Sequence, residues 1–370
     1  MSAPTEPLRL IQVGAGAMGR VWLDVIARSV DTQLVGIVDL DLDAARRAVD
    51  AAGLLGVTSA TTVEELLGRV AADAVITVTT ADAHAEVSTA ALLGGLPVLC
   101  EKPAADTTSA ALSMVAAAEV SDRLLMVSQS RRYWRNLAAL RGQLARLGRI
   151  GFVECSFFRG PRFGGFRDEM PHPLLADMAI HHFDIARDLI GSDPVGITCE
   201  SFNPSWSWYA GDAAAQAFAT FADGTRFSYT GSWCSPALET SWNGTWRISG
   251  EAGTVLWDGD RPPVARTTDG TPIPAVAGTG PEEVAGALAE FVAAIRTGTV
   301  PSGEIHRNVM SLAMVEGAIR SAHTGRRVIL ADLLDEAYRH ALATEQRPEL
   351  RAALAAWPSV HEVVANSMKG

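Results

Sequence analysis

The sequence predicts an α/β protein, with an N-terminal doubly wound parallel sheet followed by an α+β domain built on a largely antiparallel, open sheet. Three observations carry that prediction. Up to about residue 130, short apolar runs alternate with helical stretches, the order that builds a parallel sheet covered on both faces. The glycine-rich segment GAGAMG (14–19) stands between the first apolar run and the first helical stretch. After RRYW (131–134) the texture changes to short alternating strands.

Taken in order, LRLIQV (8–13) is a strand and Met18 to Arg28 a helix. QLVGIVDL (33–40) is the next strand, followed by the helical DAARRAVDAAG. TTVEELL (61–67) opens a helix with a Thr followed three residues later by a Glu, a capping signal. DAVITVTT (73–80) is a strand, Ala83 to Leu93 a helix and LPVLC (96–100) a strand. A helix from Thr108 to Val120 and the strand RLLMVSQ (123–129) complete the series. The second part offers strands at 151–158, 217–221, 226–233, 241–250 and 253–259, with Asp223–Gly224 as a hairpin signal. Helices follow near 281–296 and 304–323. The expected division is 1–130, 131–330 and a charged helical extension over 331–370.

A chain of 370 residues has room for two domains, and 48% hydrophobic with 20% charged residues excludes a disordered or fibrous protein. The formal charge of −11 argues against a nucleic-acid partner, which needs a basic surface. Cys100, Cys155, Cys199 and Cys234 are too scattered for a metal motif, so reduced thiols are expected. Residues 1–9 carry no apolar leader core, and the apolar runs are too short or too broken to span a bilayer. A cytoplasmic enzyme with no membrane partner is the expectation.

GAGAMG is G-x-G-x-x-G after a strand and before a helix. Gly14 permits the tight turn, Gly16 lets backbone approach a pyrophosphate, and Gly19 allows close strand–helix packing. The helix N-terminus then favours phosphate. Asp39 ends the second strand, placed to accept from an adenosine ribose diol and to repel a 2′-phosphate, so NAD is expected over NADP. CEKP (100–103) leaves a strand at the carboxyl edge of the sheet, which puts Glu101 and Lys102 where ligands bind in such folds. In DMAIHHFD (177–184), four ionisable side chains interrupt an oily segment. Asp177 and His181 are i and i+4 and share a helix face, which suits proton exchange with an alcohol. Asp184 either holds the second ring nitrogen of His181 or braces structure lower on the helix, and His182 serves another face.

GAGAMG, CEKP and D-x-x-x-H-x-x-D together resemble the glucose–fructose oxidoreductase/inositol dehydrogenase (Gfo/Idh/MocA) family over about residues 7 to 330, including GTWRISGEAGTV (244–255) and SAHTGRRV (321–328). The resemblance implies a Rossmann domain joined to an α/β domain whose sheet often mediates homo-oligomers, here a dimer or tetramer. It implies Lys102, Asp177 and His181 as the catalytic set. His181 would take the hydroxyl proton, Lys102 would hold the same oxygen, and Asp177 would orient the pair. The implied NAD contacts are Gly14, Gly16, Ala17, Met18, Gly19, Asp39, Thr79, His84, Glu101 and Lys102. The implied substrate contacts are Lys102, Arg131, Arg162, His172, Asp177 and His181, with no metal. One departure stands out: the family's glycine pair before the Asp is replaced by MPHPLLAD, whose prolines stiffen the approach.

Six tryptophans, Trp134, Trp206, Trp208, Trp233, Trp242 and Trp246, lie in or beside the second part, where they pack the sheet or stack on a sugar ring. The loop at 158–173 carries Arg159, Arg162 and Arg167 among glycines, as a lid or a solvated loop. The expected function is an NAD-dependent dehydrogenase of a sugar, sugar derivative or cyclitol. The alternatives are a glycoside-cleaving enzyme that uses NAD transiently and a non-catalytic NAD- or sugar-binding sensor.

Overall fold

In the computed structural model, which describes residues 6–365, the apolar runs of the first part pair into one parallel sheet. Its strands are β1 (Leu8–Val13), β2 (Thr32–Val38), β3 (Thr58–Ala60), β4 (Ala74–Thr77), β5 (Val98–Glu101) and β6 (Leu125–Ser128), in the order β3-β2-β1-β4-β5-β6. The crossovers are α1 (Ala17–Arg28), α2 (Leu42–Ala51), α3 (Val63–Leu67), α4 (Ala81–Leu93) and α5 (Thr108–Ser121). Strand order reverses between β1 and β4, the switch point at which such sheets bind ligands. Three helices begin on polar caps: Asp41 accepts from the Ala44 amide, Thr62 from Glu65 and Thr107 from Ala110. Each satisfies a donor the helix itself cannot. The short β3 gave no signal in the sequence, since three residues carry no period.

A 3-10 turn (Ser130–Tyr133) and α6 (Arg135–Leu144) lead into a second sheet. It contains β7 (Ile150–Phe158), β8 (Pro194–Phe202), β9 (Ala214–Phe221), β10 (Arg226–Ser232), β11 (Thr245–Gly250), β12 (Gly253–Trp257), β13 (Val264–Thr267), β14 (Pro272–Ile273) and β15 (Val328–Ile329). The order is β14-β13-β12-β11-β7-β10-β9-β8-β15, antiparallel at every pairing except β7 with β10. Between β7 and β8 comes α7 (Ile180–Ile190), whose Phe183 packs edge-on against Tyr229 and Phe227 of the buried sheet face. The other face carries a row of unburied residues. The registers carry Thr198, Phe218, Ser228, Glu154, Arg247, Leu256 and Val264 in one row across the sheet, none of them buried. Strand alternation sends their neighbours into the core.

The chain ends through α8 (Glu283–Thr297), α9 (Ile305–Thr324), α10 (Leu330–Thr344), α11 (Pro348–Ala356) and α12 (Val360–Ala365). Contacts divide it into two compact units, Met1–Ser130 with Val284–Val309 and Glu336–Gly370, and Arg131–Glu283 with Met310–Asp335. This differs from the sequence expectation of a second domain running to 330 and a separate extension. The physical reason is apolar burial: α11 lies on α5, and Leu350, Leu354, Val360 and Val364 are buried within the first unit despite their charged surroundings. No helix of the described residues is long and apolar enough to cross a membrane.

A charged staple holds that terminal segment. His306 Nδ1 lies 2.6 Å from Glu304 and Nε2 3.2 Å from Glu119 of α5, while Trp357 Nε1 donates to Glu119 at 2.7 Å. Burial alone would lower the His306 pKa, but the hydrogen bonds to Glu119 and Glu304 outweigh it and hold the imidazolium up at about 9. A pKa raised on folding contributes stability that is full below the unfolded value near 6.5 and is lost as pH climbs through about 9. Thermal unfolding of wild type and His306→Gln across this window checks it. The wild type is expected to lose on the order of 2–3 kcal/mol of its advantage between those pH values, and parallel pH profiles for the two proteins would refute the staple.

Candidate functional site

In the first unit, the glycine loop is shaped by clearance. Gly14 has φ +101°, and a Cβ there would collide with the Val78 carbonyl oxygen of the segment after β4. A Cβ at Gly19 would strike the Gly14 carbonyl oxygen. Gly16 has nothing within 4 Å of its missing Cβ and caps α1 without a side-chain bond. The first amides of α1, at Ala17, Met18 and Gly19, therefore present the orphan donors of a helix start beside open space. Buried Gln12 locks the loop from beneath, its Nε2 donating to the Gly14 carbonyl at 2.8 Å and the Gly19 carbonyl at 2.9 Å. Sequence reasoning missed it; the available signal is a polar residue inside a buried strand directly before the glycines.

Asp39 Oδ2 accepts from the Ala15 amide at 2.8 Å and Oδ1 from Asp41 at 2.9 Å. These tie it to the loop and still leave acceptor capacity for a ribose diol. Donors at a helix start, a clearance that only glycine allows and a carboxylate at the next strand end fit NAD.

The neighbouring strand ends hold the remaining expected residues. His84 is buried, with Nδ1 2.7 Å from the Pro103 carbonyl and Nε2 3.1 Å from the Thr79 carbonyl. Burial lowers its pKa against the opposing pull of the two carbonyls. His84 thus bridges the segments after β4 and β5. Glu101 is buried as well. Its Oε1 accepts from Trp22 Nε1 of α1 at 2.9 Å and its Oε2 from the Lys102 amide at 3.1 Å, which braces α1 against β5. Burial pushes the Glu101 carboxyl up from its ordinary pKa. Lys102 follows, half-buried, before a cis peptide to Pro103.

In the second unit, Asp177 lies in a π-helical turn, Leu174–Ala179, that runs directly into α7, and His181 sits in the first turn of α7. Such turns are rare and concentrate at functional sites. Asp177 Oδ2 accepts from Arg167 Nε at 2.8 Å, and His181 is 7% exposed. Asp184 braces the helix: both its oxygens accept from Arg132 at 2.7 Å, and Ser311 donates to it at 2.6 Å. His182 is core, fully buried among Phe157, Tyr229 and Trp246, and burial pushes its pKa well below the ordinary value.

Three expected substrate contacts have protein partners here. Arg131 donates to the Trp242 carbonyl at 2.7 Å and to Asn243 Oδ1 at 2.8 Å, and burial lowers its pKa to about 10. His172 Nε2 faces His323 Nε2 at 2.9 Å, with Asp212 3.7 Å from its Nδ1. Burial lowers the His172 pKa. Arg162 is exposed, its guanidinium 4.0 Å from the ring centre of Trp208. Of the tryptophans, Trp233 and Trp246 are buried in the sheet, Trp134, Trp208 and Trp242 are half-buried, and Trp206 is exposed. Among the described residues, no cluster of three or more His, Cys, Asp or Glu is placed to hold a metal.

Residues 8–129 match a model described as an oxidoreductase family with an NAD-binding Rossmann fold, and 143–256 match the GFO/IDH/MocA C-terminal domain. A putative UDP-kanosamine synthase oxidoreductase subunit of Amycolatopsis mediterranei is 32% identical, over 67% of this chain and 74% of that protein. An inositol 2-dehydrogenase of Rhizobium meliloti is 27% identical, over 86% and 98%. The crystal structure of an Agrobacterium radiobacter oxidoreductase in complex with NAD+, L-tartaric acid and magnesium shares the fold, with a TM-score of 0.81 at 22% identity, over 89% of this chain and 100% of that one.

Replacing Gln12 by Leu keeps the volume close and removes both loop contacts. The expected cost is roughly 1–3 kcal/mol in urea unfolding, with about a tenfold weaker NAD affinity by fluorescence titration. An unchanged affinity would show that the loop keeps its shape without the amide.

Proposed function

The chain belongs to the Gfo/Idh/MocA oxidoreductase family, and on that premise we propose that it oxidises a ring hydroxyl of a sugar, sugar derivative or cyclitol and, in reverse, reduces the ketone. The observation that carries this reading is the pair Asp177–His181: a carboxylate and a nearly buried imidazole at a π-to-α junction in an otherwise apolar segment. Ionisable groups in such a segment call for either a structural partner, as Arg167 is for Asp177, or a chemical purpose.

NAD, when bound, accepts the hydride of the carbinol carbon. The chain's own groups manage the hydroxyl. His181 takes its proton as the carbonyl forms and returns it in the reverse direction. Lys102 donates to the same oxygen and offsets its developing negative charge. Asp177 orients this set. Gly14, Gly16, Ala17, Met18 and Gly19 would hold the pyrophosphate and Asp39 the ribose diol, while His84 would fix the Thr79 and Pro103 backbone beside them. The relatives named for inositol and for a UDP-sugar product support a polyol or a nucleotide sugar as the substrate class. Exposed Phe218, Leu256 and Val264 on the unburied face of the second sheet support a homo-oligomer formed through that face.

NADH formation, followed by its absorbance with myo-inositol, related polyols and UDP-glucose, tests the catalytic assignment. Lys102→Ala and His181→Ala are each expected to lose on the order of a hundredfold or more in kcat. Wild-type turnover in both variants would remove the assignment. For the sheet face, Phe218→Glu is expected to shift the mass measured by light scattering to that of the monomer, and an unchanged mass would place the interface elsewhere.

A further inference from the structure

The segment between β7 and the π-helical turn carries an arginine that the reading above leaves without a task. Arg167 lies in a 3-10 turn, Gly165–Glu169, and its Nε donates to Asp177 Oδ2 at 2.8 Å. The two other arginines of this loop are engaged elsewhere. Arg159 pairs with Glu239 at 3.0 Å and lies 4.3 Å from the ring centre of Trp242, and Arg162 covers Trp208.

The surroundings of Arg167 look built to present it. Its guanidinium carbon is 4.7 Å from the ring centre of Phe166 and 5.4 Å from that of Phe163. Phe163 in turn packs against Trp233 and Trp242, with ring centres 6.2 and 6.3 Å apart. The turn enters through Gly164 and Gly165, both left-handed with φ +70° and +69°, where only glycine is unstrained. It leaves through backbone bonds, Ala210 N to the Asp168 carbonyl and Asp212 N to the Pro171 carbonyl, both at 2.8 Å.

Stability does not account for this construction. The pair's side chains are 33% and 14% exposed. An ion pair this close to solvent contributes about 1 kcal/mol or less to folding. Its effect falls instead on the orientation of the carboxylate, which the charged donor holds at 2.8 Å.

We propose that Arg167 is a positioning residue: through its Nε contact it aims the Asp177 carboxylate for the oxidation of the substrate hydroxyl. The proposal rests on the reading of Asp177 as a member of the catalytic set.

The test compares Arg167→Ala, Arg167→Lys, Asp177→Asn and the double variant Arg167→Ala/Asp177→Asn in full-length protein, on the polyol or nucleotide sugar that wild type turns over. Arg167→Ala is expected to lose about tenfold to a hundredfold in kcat, the scale of a misplaced catalytic group, with KM for NAD and the melting temperature unchanged. Arg167→Lys is expected to recover part of that loss, and millimolar guanidinium chloride to restore Arg167→Ala without activating wild type. In the double variant, Arg167→Ala is expected to add nothing to Asp177→Asn, because the two act as one unit. Unchanged kcat in Arg167→Ala, additive losses in the double variant, or a loss that follows the melting temperature with no rescue overturns the proposal while leaving the role of Asp177 in place. Wild-type turnover in Asp177→Asn overturns both.

Discussion

A carboxylate taken out of water has to be met by a cation, and in the second unit that requirement, satisfied between Asp184 and Arg132, decides where α7 lies. The pair is bidentate and almost wholly buried, so breaking either partner would strand a charge. Ser311 of α9 donates to the same carboxylate and accepts from Arg187, which also reaches Asp193 before β8. Arg141 of α6 holds Asp188 at 2.6 Å. One helix is thus fastened to α6, to α9, to the turn at Ser130–Tyr133 and to the approach to β8. His181, one turn upstream of Asp184, inherits its orientation from this network.

The first unit solves the corresponding problem with neutral donors. Its glycine loop has to stay open to a ligand, so nothing bulky can brace it from above. Gln12 braces it from below, donating to the carbonyls of Gly14 and Gly19. Trp22 and Glu101 then join α1 to the end of β5, so the helix that opens at the glycine loop and the strand that leads into Lys102 share one hydrogen bond. In both units the groups with a chemical task are few, and each is flanked by a larger number of polar groups whose work is to hold it.

That arrangement explains why the motif DMAIHHFD divides as it does. Four ionisable residues look alike in sequence, yet Asp184 pairs with Arg132, His182 is core, and Asp177 pairs with Arg167 while His181 is nearly buried. Asp177 lies in the π-helical turn, whereas His181, His182 and Asp184 all lie in α7. The prolines at 171 and 173 stand where the family's glycine pair is expected, and His172 between them is held by His323 and Asp212. The approach to Asp177 in this chain is therefore fixed by side chains where glycines would leave it to the backbone.

The alternation of apolar runs and helices, the glycine spacing and the positions of Asp39 and Lys102 just past strand ends were readable from the chain alone, because each depends on residues near in sequence or on a period of two or 3.6, whereas the π-helical turn that carries Asp177 was not. Both sheets and most of their strands followed from the same periods. What the chain could not show were pairings between distant residues: Arg167 with Asp177, Arg131 with Asn243, His172 with His323, and Gln12 beneath a loop it precedes. Nor could it show that residues 284–309 and the final helices return to the first unit, since a charged surface stretch hides the few leucines and valines that bury there. Local patterns encode elements and motifs. Which polar groups are consumed as braces, and which are left to react, is settled only when folding removes water and forces each of them to find a partner.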